Sequence, residues 1–175
     1  MKKLLSLALC AMMLLAAASP ADAKGVPDLK LKDLAGHAQR LSALRGQIVV
    51  LSFWATWCAP CRNELPRLSK LNEEFAGRNV HFVAVSIDEP KDRAKVGPYL
   101  SEQKIRLDAW VGGDAGLLER FGMGEIVPAT LILDERGQVI TRIMGEAREE
   151  DVRSRLDWLL SGRQGPVPEK KLKRY

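Results

Sequence analysis

Two periodicities meet between Ile48 and Phe75, and their junction limits the fold more than any other part of the chain. Ile48 to Phe53 is almost uninterruptedly apolar and rich in β-branched residues, the pattern of a strand covered on both faces. Beyond it, Leu65, Leu68, Leu71 and Phe75 recur three or four residues apart, which predicts a helix beginning near Cys58. Pro60 suits a first helical turn, where its missing N–H would have had no partner, and Pro66 predicts a bend deeper in the helix. Val80 to Ile87 alternates and then runs apolar after the Gly77-Arg78-Asn79 turn, giving a second buried strand. Strand, helix and strand in this order imply a right-handed crossover and a parallel pair.

The remaining elements extend that unit. Val26 to Gln47 carries short apolar alternations, a turn at Gly36 and one helical turn over residues 41–46, so it predicts a small N-terminal hairpin at a sheet edge. Lys91 to Gln103 reads as a broken surface helix interrupted at Gly97-Pro98. Ile105 to Val111 reads as a short strand, and Gly113-Asp114 as the start of a helix ending at Gly122. Ile126 to Leu133 and Val139 to Met144 form an antiparallel pair around the Asp134-Glu135-Arg136-Gly137 turn. Val152, Leu156, Leu159 and Leu160 give residues 148–160 an amphipathic helical face, with Trp158 as a packing residue. Without internal repeats or a composition break, this predicts one α/β domain over residues 24–161, a central mixed sheet flanked by helices.

The chemistry lies at the first junction. Cys58 sits where unpaired backbone N–H groups and the positive end of a helix dipole favour a thiolate, so it is the candidate nucleophile. Cys61, about one turn on, can bring its sulfur within disulfide reach. Three other uses of two cysteines at this spacing fit less well. Zinc needs two more ligands, and His37, His81 and Cys10 stand at no ligand spacing, so no metal is expected. Haem attachment needs His after the second cysteine, where Arg62 stands. An inert structural disulfide usually closes a longer loop and seldom lies at a helix N-terminus.

Phe53-Trp54-Ala55-Thr56-Trp57-Cys58-Ala59-Pro60-Cys61, followed by Arg62, Glu64 and Pro66, resembles the thioredoxin superfamily. Within it, the chain from about Val26 to Ser161 is similar to the TlpA-like and ResA-like envelope thiol-disulfide oxidoreductases of the redoxin type. The resemblance implies a thioredoxin fold with an N-terminal β-hairpin extension. It implies a redox-active Cys58–Cys61 disulfide, supported by Trp57 and Pro60, and no cofactor. It also implies a cis Val127-Pro128 bond opposite the disulfide, with the Val127 backbone pairing with an extended substrate segment. Ala129 departs from the family, where Thr often follows that proline. So does Ser52, which occupies the place of a buried aspartate that serves as proton carrier for the second cysteine. Glu89, after the strand ending at Ile87, lines up with an acidic substitute in ResA-like members, while by itself it also reads as a solvated loop carboxylate.

The same resemblance implies a reductase of disulfides in envelope proteins, in cytochrome c maturation or copper-site assembly, with electrons from a membrane thiol transporter of the DsbD or CcdA kind. Reduction potential decides the direction, and relatives range from about −270 mV for thioredoxin to about −120 mV for DsbA. Two other classes are open. A thiol peroxidase would carry a Pro-x-x-x-Thr-x-x-Cys pattern, whereas Leu51 and Ala55 stand at those places before Cys58. A thiol metal-binding chaperone would use both sulfurs as soft ligands.

The ends of the chain address localisation. Met1-Lys2-Lys3, an apolar run from Leu4 to Ala18 and Ala21-Asp22-Ala23 read as a signal peptide over residues 1–23, too short to be a good spanning helix. Export places the protein in the periplasm or on the outer face of the cytoplasmic membrane, with membrane contact only if this segment is retained. An oxidising compartment would drive the remaining Cys58 and Cys61 to the disulfide, so a reducing role needs outside electrons. The formal net charge of +5, spread along the chain, does not indicate nucleic-acid binding. Residues 162–175, rich in Gly, Pro, Lys and Arg, predict a flexible basic tail.

Overall fold

The computed structural model describes residues 26–175, so the signal sequence and its cleavage site lie outside the described residues. The described chain opens with a hairpin of β1 (Lys30–Asp33) and β2 (Ala38–Arg40), followed by a 3-10 turn over Leu41–Leu44. Then come β3 (Ile48–Trp54), α1 (Ala59–Glu74) and β4 (Val80–Ser86), the expected parallel crossover, with Ile48 opposite Val80 and Trp54 opposite Ser86. The chain continues through α2 (Val96–Glu102), β5 (Asp108–Val111), α3 (Ala115–Arg120), β6 (Ala129–Leu133), β7 (Val139–Gly145), α4 (Glu149–Leu160) and β8 (Lys171–Arg174). All eight strands join one mixed sheet in the order β2-β1-β5-β4-β3-β6-β7-β8.

Every residue of the central β3 is buried, as its apolar run requires. Alternate side chains serve opposite layers. Val49, Leu51 and Phe53 join Val96 and Leu100 of α2 and Leu117 and Leu118 of α3, whereas Ile48 and Val50 join Leu68 and Leu71 of α1 and Val152 and Leu156 of α4. The result is the thioredoxin-like arrangement, with helices on both faces and the N-terminal hairpin added beside β5.

Three elements differ from the sequence expectation. The break before α2 falls at Val96, after a 3-10 turn over Arg93–Lys95, so Gly97 and Pro98 lie within the first turn of α2. β5 starts only at Asp108: the chain leaves α2 through Lys104 in the left-handed region (φ 54°), and the Arg106 N–H and carbonyl are then taken by Ser69 and Asn72 of α1 instead of a strand ladder. The segment read as a flexible tail ends in β8, parallel to β7. Leu172 enters the core, and Arg174 forms an ion pair with the buried Asp151 of α4.

Candidate functional site

β3 delivers the chain to the carboxyl edge of the sheet, where open α/β folds meet their ligands. Cys58 is the N-cap of α1 and Pro60 lies in the first turn. The Cys61 N–H donates to Cys58 Sγ (3.2 Å) and the Arg62 N–H to the Cys58 carbonyl (3.2 Å). The two sulfurs form a disulfide, with the Cα atoms 5.3 Å apart. Accessibility is unequal: Cys58 is 4% exposed, Cys61 is fully enclosed and Trp57 beside them is 63% exposed. A partner sulfur can therefore approach only Cys58.

Behind the disulfide, Glu64 lies on the same face of α1 as Cys61, three residues on, a spacing that puts Cβ atoms about 5–6 Å apart. Its carboxyl group is wholly buried and accepts three hydrogen bonds. Ser52 Oγ (2.9 Å) and Thr130 Oγ1 (2.8 Å) donate to Oε1, and the Ala147 N–H (2.6 Å) donates to Oε2. Burial pushes its pKa up to about 7, although the Ala147, Thr130 and Ser52 hydrogen bonds and the nearby Arg67 charge favour the ionised form. The group therefore changes charge near neutrality and can exchange a proton there. In the sequence Glu64 stands out only as part of the motif. The signal was present, since Cys61, Glu64, Leu68, Leu71 and Phe75 follow one another at three- and four-residue steps and put an acid on the buried stripe.

At the end of β4 two adjacent carboxylates face opposite ways. Glu89 extends into solvent and pairs with Lys91 (3.0 Å), the arrangement of a loop carboxylate. Asp88, which the sequence reading gave no role, is completely buried. It accepts from Thr56 Oγ1 (2.6 Å), from the Thr56 N–H (3.1 Å to Oδ2) and from Ser86 Oγ (2.9 Å). These bonds tie the β3–α1 loop, immediately before Trp57 and Cys58, to β4.

The third wall precedes β6. The Val127-Pro128 peptide is cis, and the Phe53–Ala129 register sets this dipeptide beside the end of β3. Pro128 O accepts from the Gly145 N–H (3.0 Å), whereas the Val127 backbone takes part in no backbone hydrogen bond among the described residues. Val127 is 7% exposed and its neighbour Ile126 is 67% exposed. Trp57 and Ile126 thus present apolar surface on two adjoining loops.

Residues 23–142 match the AhpC/TSA family. The chain is 33% identical over 131 residues to the thiol-disulfide oxidoreductase ResA of Geobacillus kaustophilus (strain HTA426), covering 75% of this chain and 74% of that one. It is 32% identical over 136 residues to the thioredoxin-like protein YneN of Bacillus subtilis (strain 168), with 75% and 76% covered. Among solved structures it is similar to a thiol:disulfide interchange protein, a thioredoxin family protein from Chlorobium tepidum TLS. That superposition has a TM-score of 0.66 at 24% identity and covers 78% of this chain and 95% of the other.

Proposed function

Because the chain belongs to the AhpC/TSA family and is a thiol-disulfide oxidoreductase acting on disulfide-containing proteins, we propose that it is exported and reduces disulfides of envelope proteins through Cys58 and Cys61. The reading rests above all on the unequal burial of the two sulfurs at the N-terminus of α1, with only Cys58 reaching the surface.

In the reduced protein the Cys58 thiolate attacks one sulfur of a substrate disulfide, and the other substrate sulfur leaves as a thiolate that takes up a proton. A mixed disulfide now joins Cys58 to the substrate. Cys61 gives its proton to the Glu64 carboxylate and attacks Cys58 Sγ, so the second substrate sulfur leaves with the bonding electron pair. Two electrons have moved from the dithiol to the substrate, and Cys58 and Cys61 are joined again. The Trp57 and Ile126 surfaces hold the apolar part of the substrate, and the unpaired Val127 backbone adds to an extended segment as a strand does.

A membrane thiol transporter of the DsbD or CcdA kind returns the electrons. The substrates are apocytochrome c or a copper-site assembly protein, and the work takes place in the periplasm or on the outer face of the cytoplasmic membrane. Replacing Cys61 with Ser tests this reading, because the second step is lost and an envelope substrate should remain covalently attached to Cys58 and be released by dithiothreitol. A reduction potential near about −120 mV, with no electron transfer from such a transporter, would refute the reductase direction. Rapid consumption of peroxide by the reduced protein would favour a peroxidase instead.

A further inference from the structure

β8 closes the sheet edge beside β7, and its register sets Arg174 opposite Gly145, the last residue of β7. The chain then turns from Gly145 to Arg148 before α4, and this turn touches the redox site twice. The Gly145 N–H donates to the Pro128 carbonyl (3.0 Å) and the Ala147 N–H to Glu64 Oε2 (2.6 Å). The far end of the turn is fixed by the Arg148 N–H, which donates to Asp151 Oδ2 (3.2 Å).

The C-terminal strand grips the turn from outside. Arg174 donates through Nε to Asp151 Oδ2 (2.9 Å) and through Nη2 to Oδ1 (2.6 Å), a two-pronged charge-assisted contact. Asp151 is nearly buried, and its carboxyl is held below the usual range chiefly by Arg174. Gly145 lies at φ +92°, and a Cβ there would stand 2.6 Å from the Arg174 carbonyl oxygen. Only glycine lets the two backbones meet this closely.

We propose that β8 is a clamp on the redox site, with Arg174 as a positioning residue that acts through Asp151 and the 145–148 turn to hold the Ala147 N–H on Glu64, and so governs proton exchange with Cys61. The inference depends on the reading of Glu64 as the proton partner of Cys61. The groups facing Glu64 are few. Ser52 comes from β3, Thr130 from β6 and the Ala147 N–H from the turn, while Arg67 of α1 is itself paired with Glu146 of that turn. Of these, the N–H and Glu146 both belong to the clamped segment. Releasing the segment withdraws the Ala147 donor, the strongest of the contacts that favour the carboxylate, and this outweighs what an Arg67 freed of Glu146 returns, the weakest of them.

The test follows the Glu64 carboxyl by carbon-13 NMR in the oxidised full chain, together with the pH profile of mixed-disulfide resolution in the reduced one. In R174A the Glu64 midpoint should rise by about one pH unit, the size of one lost hydrogen bond to a charged group. The Ala147 amide should also exchange faster with solvent. R174K, which keeps the charge but not the fork, should recover part of the shift. R174Q, the milder replacement, serves if R174A does not fold, and should show a smaller rise of the same sign. A folded variant that melts at lower temperature while the Glu64 midpoint stays at the wild-type value overturns the clamp. If the Glu64 midpoint moves but the resolution profile does not, the clamp stands and the assignment of Glu64 to Cys61 fails.

Discussion

Replacing Glu64 with Gln isolates what the buried acid costs the fold. The ordinary value for this carboxyl is 4.5, and burial raises it to about 7 in the folded protein. Below 4.5 both folded and unfolded chains hold the proton and the group is neutral to stability. Between 4.5 and about 7 the unfolded chain releases its proton while the native chain keeps it, so stability falls as pH rises. Above about 7 both forms are ionised and the loss is complete. At about 1.4 kcal/mol per pH unit, the interval between the two values amounts to about 3–4 kcal/mol, nearly all of it lost between pH 4.5 and pH 8. Gln has the same shape and no titration. Its carbonyl can accept from the Ala147 N–H, while the Ser52 and Thr130 hydroxyls rotate to accept from its NH2 group.

Urea unfolding of the oxidised wild type and E64Q, at fixed ionic strength from pH 4.5 to pH 8, measures the difference. Subtracting the two curves removes carboxyls that titrate alike in both proteins, including Asp108 and Asp151, whose lowered values give the opposite pH trend. The difference should move in favour of Gln by about 3 kcal/mol as pH rises. Parallel stability curves would show that Glu64 carries no raised pKa, and proton exchange at this position near neutrality would have to be abandoned.

Asp88→Asn should destabilise the fold by about 1–3 kcal/mol at pH 7, because the Thr56 N–H lies 3.1–3.2 Å from both carboxylate oxygens and, unlike a hydroxyl, cannot turn to accept from the amide NH2; urea midpoints check this, and an unchanged midpoint would deny Asp88 its place in holding the Thr56 loop. Ile126→Ser should raise KM for a protein disulfide several-fold with little change in kcat, and leave the melting temperature near that of the wild type, because Ile126 is 67% exposed. Steady-state kinetics with insulin separates these quantities, and a fall in kcat alone would remove Ile126 from the substrate surface.

The parts of the fold that were legible in sequence are those written in local period. β3 and α1 differ in repeat, and that change exposes both the crossover and the cysteine pair at its corner. β8 was not legible because Lys171-Leu172-Lys173-Arg174 offers one apolar residue among three cations. Its place is set by distant partners, the parallel pairing with β7, the core around Leu172 and Asp151, which lies 23 residues from Arg174 in the chain. Asp88 and Glu89 show the same limit at shorter range. Both follow the last residue of β4, where alternation no longer tells inside from outside, and the contacts with Thr56 and Ser86 decide which carboxylate turns inward.

The two buried acids hold different parts of the site. Asp88 is enclosed by Thr56 and Ser86, all donating to it, so its carboxyl serves as a fixed anchor for the loop before Cys58. Glu64 also has three donors, yet burial outweighs them and brings its pKa to about 7. This balance explains how Ser52 can occupy the strand position where an acid was expected. Its hydroxyl donates to Glu64 Oε1, so the carboxylate reaches this pocket from α1 and leaves little room for one on β3. A second carboxyl there would confront the first in a dry space where two negative charges are not both tolerated. Moving the acid to α1 places it on the same helix face as Cys61, and also exposes it to the turn after β7. The proton site is thereby linked to a segment outside the cysteine motif, the 145–148 turn, which meets β8 on its other side.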